Sequence, residues 1–265
     1  MGCFLISFCL GNTADPVINL TIMLLIIIGG LGFFTWRDIY TNGIHIKRYR
    51  MQSKVILAVT AGLILVPSIY FFFFEFAHLP FTERLWGALF QAVTPRTAGF
   101  NTADLNAMSE TGQMLTSLLM IIGGAPGSTA GGIKVTTFAV MVSVAAAVFQ
   151  RRQNGRFFGR RIDDETVKNA ATVFLMYISL FLIGGMAISK LENLPIMACL
   201  YESASAVGTV GLSLGITLEL GTVSKLILIA QMYIGRVGGL TLIFATLPAT
   251  KNTLSRLPVE KISVG

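Results

Sequence analysis

Two stretches, TPRTAGFNT around Gly99 and SAVGTVGLS around Gly211, each set a Thr-x-Gly triplet between a short apolar segment and a long one. Gly123 follows Gly99 by 24 residues inside its long segment, and Gly235 follows Gly211 by the same interval. A chain that repeats itself in this way is built from copies of one unit: long helix, short half-helix, glycine-bearing loop, long helix. The short members, Leu85 to Val93 and Leu194 to Val207, cannot cross a hydrocarbon layer about 30 Å thick, so they are expected to dip in and return.

The layer itself follows from composition. Hydrophobic residues make up 54% of the 265 and charged residues 12%, with a mean hydropathy of +0.72. Such a chain reads as an all-α polytopic membrane protein of helix, re-entrant loop, helix repeats. Five long spans are expected: Val17 to Thr35, Val55 to Phe74, Gln113 to Gln150, Asn169 to Ser189, and Leu226 to Thr250 with Arg236 inside it. The third is too long for one crossing and is interrupted by GGAPGSTAGGIK, which makes it a broken helix. The net charge of +7 would suit nucleic acid, but the basic residues lie between apolar runs and not on an aromatic binding face. No nucleic-acid partner is expected. Cys3, Cys9 and Cys199 are too few and too apolar in context for a disulfide framework or a metal site. His45 and His78 stand isolated, and MGCFLISFCL lacks the basic start and small-residue cleavage pattern of a signal peptide.

Orientation follows from Lys and Arg. Arg37, Lys47, Arg48, Arg50 and Lys54 share one loop, Arg151, Arg152, Arg156, Arg160, Arg161 and Lys168 another, and Lys251, Arg256 and Lys261 the tail. Those fourteen face only Arg84, Arg96, Lys190 and Lys225 on the other side. Both basic loops and the C-terminus are therefore expected in the cytoplasm, with the Thr-x-Gly loops outside. Trp36, Tyr40 and Trp86 read as interfacial anchors.

A monovalent cation sheds water only where oxygens replace it, and main-chain carbonyls converge on an axis only where the backbone leaves helical geometry. Glycine permits the dihedrals and the close approach this needs. Thr97, Ala98 and Gly99 form one candidate ion filter, and Gly208, Thr209, Val210 and Gly211 the other. The alternative is that Gly99 and Gly211 only allow turns. An Ile-Gly step recurs at Gly29, Gly123 and Gly235, giving three inner helices but two complete units. Counting 24 residues back from Gly29 reaches Leu5, in a stretch with no Thr-x-Gly. An N-terminally incomplete form is expected.

TPRTAGFNTADL, GGAPGSTAGGIK, SAVGTVGLS, GRVGGLTL and PVEKISVG, in that order, together resemble the C-terminal half of the membrane subunit of Trk/Ktr/HKT-type potassium transporters, most closely the bacterial Ktr-type subunit. The resemblance implies four repeats around one pore. Residues 1–36 would be an outer loop and the last helix of an incomplete second repeat. Residues 54–150 would be the third repeat, 167–250 the fourth, and 251–265 a cytoplasmic tail.

It also implies a gate loop beneath the filter, here Gly123, Gly124, Pro126, Gly127, Ser128, Gly131 and Gly132. So many glycines and prolines cannot hold a regular helix, and unwound backbone at membrane depth should line a cavity. A hinge without a gating role remains the alternative. A phosphate-binding loop fails on register, since Ile133 stands where the lysine belongs and Lys134 comes one residue late. Lys134 can instead reach back to cytoplasmic water.

A central arginine costs about 2.5 to 3.5 kcal/mol on insertion scales, so Arg236 needs a reason. The resemblance makes it a pore barrier that repels cations or pairs with the gate loop; a structural pairing with Glu202 is the alternative. Arg96 and Glu202 adjoin the filters, where bracing of the loops is the favoured reading over tuning of the ion path. The basic loop RRQNGRFFGRRIDDE sets orientation and offers a site for anionic lipid headgroups.

The expected function is a potassium transporter subunit in the plasma membrane of a bacterium, passing potassium through filter carbonyls. No cofactor is expected, and potassium at those carbonyls is the substrate. The resemblance adds a cytoplasmic nucleotide-binding regulatory subunit, and a homodimer is the expected assembly. A non-conducting fragment or assembly partner and a sodium-permeable transporter stay open. An intramembrane enzyme is disfavoured, because no Ser/His pair, paired carboxylates or metal-ligand set lies in the spans.

Overall fold

The computed structural model describes residues 16–152 and 154–238. The N-terminal outer loop with Cys3 and Cys9, the last span beyond Gly238 and the tail 251–265 lie outside the described residues.

Two helix, half-helix, loop, helix units follow one another. In the first, α3 (Met51–Tyr70) runs through a π-helical turn at Phe71–Glu75 into α4 (Phe81–Val93), then across a filter loop to α5 (Glu110–Ile121) and, past a break, α6 (Val135–Phe149). In the second, α7 (Asp164–Glu192) leads to the half-helix α8 (Ile196–Val207) and, past its loop, to α9 (Thr222–Val237). Before both come α1 (Pro16–Gly30) and α2 (Phe33–Asn42). Among the described residues the segments Met51–Glu75 and Asp164–Glu192 are long and apolar enough to cross a membrane, and the bent pair α1 and α2 passes the same test only when taken together as one span. At 1.5 Å per residue α8 is roughly 18 Å long, too short to cross such a layer. The first unit begins at Met51 and the second at Asp164, each three residues before the bounds read from sequence.

The stretch read as one span from Val17 to Thr35 is two helices bent by 98°. Gly32 takes φ 76°, and a Cβ there would lie 2.6 Å from the Pro126 carbonyl oxygen. The break is filled from outside: the Ala125 amide donates to the Gly30 carbonyl at 2.8 Å and the Phe33 amide to that of Gly127 at 3.2 Å. Trp36, expected as an interfacial anchor, turns its indole N–H to the Ile28 carbonyl at 3.0 Å. A carbonyl freed by the bend thus finds a donor, as buried backbone must.

The core lies between the units. Phe71, Ala92, Met120 and Ile121 of the first meet Tyr177, Phe181, Tyr201, Ala204 and Val207 of the second in one buried cluster. The two basic loops share one end of the molecule, where the Lys54 ammonium stands 5.9 Å from the Phe158 ring centre. That end also carries a two-stranded hairpin, β1 (Arg156–Phe157) with β2 (Arg160–Arg161).

A second duplication was not read from the sequence. Glu75, at the end of the first outer helix, accepts from the Ser109 amide at 3.0 Å and from its hydroxyl, and Ser109 is the N-cap of α5. Glu192, at the end of the second, accepts from the Gly221 amide at 2.8 Å and the Ser224 hydroxyl, at the start of α9. Each outer helix therefore hands a carboxylate to the N-terminus of its inner helix, where freed amides and the helix dipole favour negative charge.

Replacing Ser109 with alanine removes a helix cap and a carboxylate partner together, and an N-cap loss of this kind costs about 0.5 to 2 kcal/mol. Thermal unfolding in detergent should show Ser109→Ala destabilised by that order. Adding Glu75→Ala should cost less in that background than alone, because the two share one interaction.

Candidate functional site

The two Thr-x-Gly loops have the same backbone. Thr97 and Gly99 lie at φ 61° and 73°, Thr209 and Gly211 at φ 52° and 95°, and the residue between each pair is not left-handed. Threonine is β-branched, and left-handed geometry there is a true outlier costing about 1 to 3 kcal/mol, kept only where the surroundings force it. Reversing the sign of φ at alternate residues turns successive carbonyls towards one side, where an extended strand would alternate them.

The surroundings that force it are visible in the hydrogen bonds. Ala98 and Gly99 amides point back to the Thr94 carbonyl at 3.4 Å, the Val210 amide to Ser205 at 2.9 Å, and the Gly211 amide to the Ser205 hydroxyl at 3.1 Å. The Thr94 hydroxyl donates to the Phe100 carbonyl. The amides are thus tied to the ends of α4 and α8, whose carbonyl ends carry partial negative charge. None of the carbonyls of Thr97, Ala98, Gly99, Thr209, Val210 or Gly211 accepts a hydrogen bond from a described residue. The Thr209 hydroxyl is buried and also has no partner among the described residues. Six carbonyls and a hydroxyl left open in this way are oxygen ligands of the kind that can replace a cation's water.

The loops touch: a Cβ on Gly99 would stand 2.2 Å from the Val210 carbonyl oxygen. The inner-helix glycines lie directly beneath. A Cβ on Gly123 would be 3.6 Å from the Thr97 methyl, and one on Gly235 3.4 Å from the Thr209 methyl. The equal 24-residue spacing therefore has a cause, since it puts a glycine under each filter threonine. Gly208, read as part of the second filter, has an ordinary helical φ of −74° as the cap of α8; it is glycine because α5 passes so close that a Cβ would lie 2.1 Å from the Met120 carbonyl oxygen.

The broken helix forms a knot below this. Ile122 and Ile133 pair in a parallel bridge, pinching off a loop that contains Gly124, Pro126, Gly127, Ser128, Gly131 and Gly132. A Cβ on Gly131 would be 2.2 Å from the Thr209 hydroxyl oxygen, so the loop backbone lies against the filter's inner end. The Gly132 amide donates to the Gly235 carbonyl at 3.2 Å, and Arg236 donates to the Thr129 carbonyl. Lys134 folds back to the Ala130 carbonyl at 2.5 Å. Thr129 on the loop and Gly30 at the end of α1, both unremarked in the sequence, thus fasten the loop to α9 and to α1. The Gly-Gly pair common to positions 29–30 and 123–124 was the available signal for the second.

Arg236 does not meet Glu202. That carboxylate is engaged by the hydroxyls of Ser213 and Thr217 and the Leu214 amide, the last two at 2.8 and 3.2 Å, and holds the segment that follows the second Thr-x-Gly loop. Arg96 is buried and reaches the Thr60 hydroxyl at 3.4 Å and the Gly123 carbonyl at 3.5 Å. Both side chains brace loops. Beside the second filter a cavity of about 490 Å³ is lined by Ser205, Thr209, Val210, Gly211, Met232, Tyr233 and Arg236.

Comparison with known proteins gives this geometry a context. The model of the TrkH family, cation transport proteins, matches residues 6–254. The chain is 39% identical to the potassium/sodium uptake protein NtpJ of Enterococcus hirae, over 97% of its own length and 59% of that protein's. It is 36% identical to the Ktr system potassium uptake protein B of Bacillus subtilis, over 95% of its length and 57% of that protein's. It therefore spans rather more than half of the curated relatives it matches. The crystal structure of the potassium transporter TrkH from Vibrio parahaemolyticus shares the fold, with a TM-score of 0.72 at 22% identity over 87% of this chain and 52% of that one.

The two filter glycines are unequal in space. Gly99 faces the Val210 carbonyl, whereas no atom of the described residues lies within 4 Å of a Cβ on Gly211. Gly99→Ala should add to its backbone strain an overpacking cost of about 1 to 3 kcal/mol, and Gly211→Ala should not. Comparing their thermal unfolding midpoints checks this.

Proposed function

The chain belongs to the TrkH family of cation transport proteins, and from that membership we propose that its two Thr-x-Gly loops are half of a potassium-selective ring. The observation that carries the proposal is the pair of left-handed threonines with every filter carbonyl free of a hydrogen-bonding partner among the described residues. Potassium is the substrate. The carbonyls of Thr97, Ala98, Gly99, Thr209, Val210 and Gly211 take the place of its water, and the Thr209 hydroxyl adds a ligand at the inner end. The family places the protein among transporters and not among enzymes.

Residues 123–132 act as the gate in this reading. They lie against the inner end of the filter and are fastened by Arg236 to the last helix, where a fixed positive charge also raises the barrier to a cation. Opening frees the loop from Gly235 and Arg236. The setting proposed is the plasma membrane of a bacterium with both basic loops and the C-terminus in the cytoplasm. There a nucleotide-binding regulatory subunit would bias the loop and two copies of the assembly would pair. The name of the Enterococcus hirae relative includes sodium, which makes the potassium to sodium ratio the quantity to measure.

The test is uptake by potassium-requiring cells that express the chain alone or together with a chain supplying the remaining pore repeats. Rescue with the partner repeats is expected. In that pair Gly99→Ser or Gly211→Ser should lower the potassium to sodium uptake ratio about tenfold, a loss of about 1.4 kcal/mol in discrimination. Arg236→Ala should raise the uptake rate severalfold. Unchanged selectivity in both glycine variants would overturn the filter assignment, and unchanged flux in Arg236→Ala would overturn the gate.

A further inference from the structure

At the end bearing the basic loops, α6 stops and the chain turns back on itself. Arg151 takes φ 52°, and the Arg151 and Arg152 amides reach back to the carbonyls of Val148 and Ala147 at 2.9 and 2.8 Å. These are the paired reverse hydrogen bonds of a left-handed helix cap, and they fix Arg152 beside the last turn of α6. Gly155 then seats the hairpin on the same helix: a Cβ there would lie 3.2 Å from the Ser143 hydroxyl and from Ile162, which places Arg156 close by.

Between hairpin and helix is a groove of about 310 Å³ whose walls include Val59, Phe138, Val142, Ala146 and Phe157, and whose lining also takes in Arg152 and Arg156. Its apolar walls continue onto exposed Val142, Val148 and Phe149 of α6. Among the described residues neither arginine has a carboxylate partner, whereas Arg161 is paired with Asp164 at 3.0 Å. A second cavity on the far side of Phe157 is lined by Asp163 as well as Arg161 and lacks this one-sided charge.

We propose that the groove holds one acyl chain of an anionic phospholipid, with the lipid phosphate between Arg152 and Arg156. The volume is at the lower end of the roughly 300 to 1,000 Å³ of small-molecule sites, which suits one chain and leaves the second in the bilayer. Apolar walls together with two arginines that have no carboxylate partner among the described residues offer both kinds of group that such a lipid needs, and arginine is the side chain best matched to phosphate. A free phosphate would use the arginines but not the groove. A zwitterionic lipid would use the groove and offer the same phosphate, but its choline cation would stand beside the arginines and offset their attraction.

The full chain is purified in detergent and offered phosphatidylglycerol and phosphatidylcholine with identical acyl chains, and bound lipid is counted by native mass spectrometry. Phosphatidylglycerol should be retained about tenfold or more over phosphatidylcholine, as two arginines facing a headgroup of net negative charge require. Arg152→Gln with Arg156→Gln should abolish the preference, Ala146→Phe should reduce retention of both lipids by filling the groove, and Arg160→Gln, outside it, should change neither. Helical content by circular dichroism identifies a variant that has not folded, and Ala146→Phe, at an exposed helical position, decides the matter alone in that event. Equal retention of the two lipids, or undiminished phosphatidylglycerol in Ala146→Phe, would overturn the proposal, as would full displacement by inorganic phosphate.

Discussion

Backbone that leaves the helix inside an apolar layer has no water to turn to, so every freed amide and carbonyl needs a partner in the protein or a cavity to face. The rest of this structure depends on how that demand is met at two loops. Their amides are drawn back onto the ends of α4 and α8, which leaves the carbonyls with nothing to bind among the described residues. A turn that satisfied both halves of its peptide groups would be more stable and would offer a cation nothing. The left-handed threonines at 97 and 209 are what that one-sided arrangement costs.

The same demand explains the glycines. At Gly99, Gly131 and Gly235 a methyl group would fall within 2.2 Å of a carbonyl or hydroxyl oxygen, so loops and helices approach to backbone contact there. Filter loops held by side chains would be separated by them, and the carbonyls of neighbouring repeats could not share one ion. Close approach of main chain to main chain is what lets the two duplicated loops meet in space.

That duplication was legible because it is local and periodic. The half-helices, the broken inner helix and the glycines at equal spacing follow from runs of residue type read against the thickness of a bilayer. Contacts between segments far apart in sequence leave no such mark. The bend at Gly32 depends on backbone groups of residues 125–127, nearly a hundred positions later, so Val17 to Thr35 looks like one span when read alone. The carboxylates of Glu75 and Glu192 were hidden for a different reason: each ends a long apolar run, where a charged residue needs no explanation. Their role as caps shows only when the inner helix is seen to begin beside them. Arg236 was conspicuous by its place in a span, but its partner is a carbonyl of Thr129, and no pattern of side chains announces a carbonyl.

The first unit breaks its inner helix at residues 122–133, and the loop it gains is fastened to three other helices, α1, α2 and α9. Four contacts hold it: Ala125 to Gly30, Phe33 to Gly127, Gly132 to Gly235 and Arg236 to Thr129. With a net contribution of about 0.5 to 1.5 kcal/mol for a neutral hydrogen bond and 1.5 to 3 for a charged one, the set is worth roughly 3 to 7.5 kcal/mol, of which the two that opening breaks, Gly132 to Gly235 and Arg236 to Thr129, supply about 2 to 4.5. Moving a two-state equilibrium from about 1:99 to 99:1 takes about 5.5 kcal/mol. For a loop acting as the gate, the fastening is therefore strong enough to keep the path closed at rest and weak enough for one binding event elsewhere to release it. A continuous helix in the same place would offer no such intermediate, because its amides and carbonyls would be committed to one another.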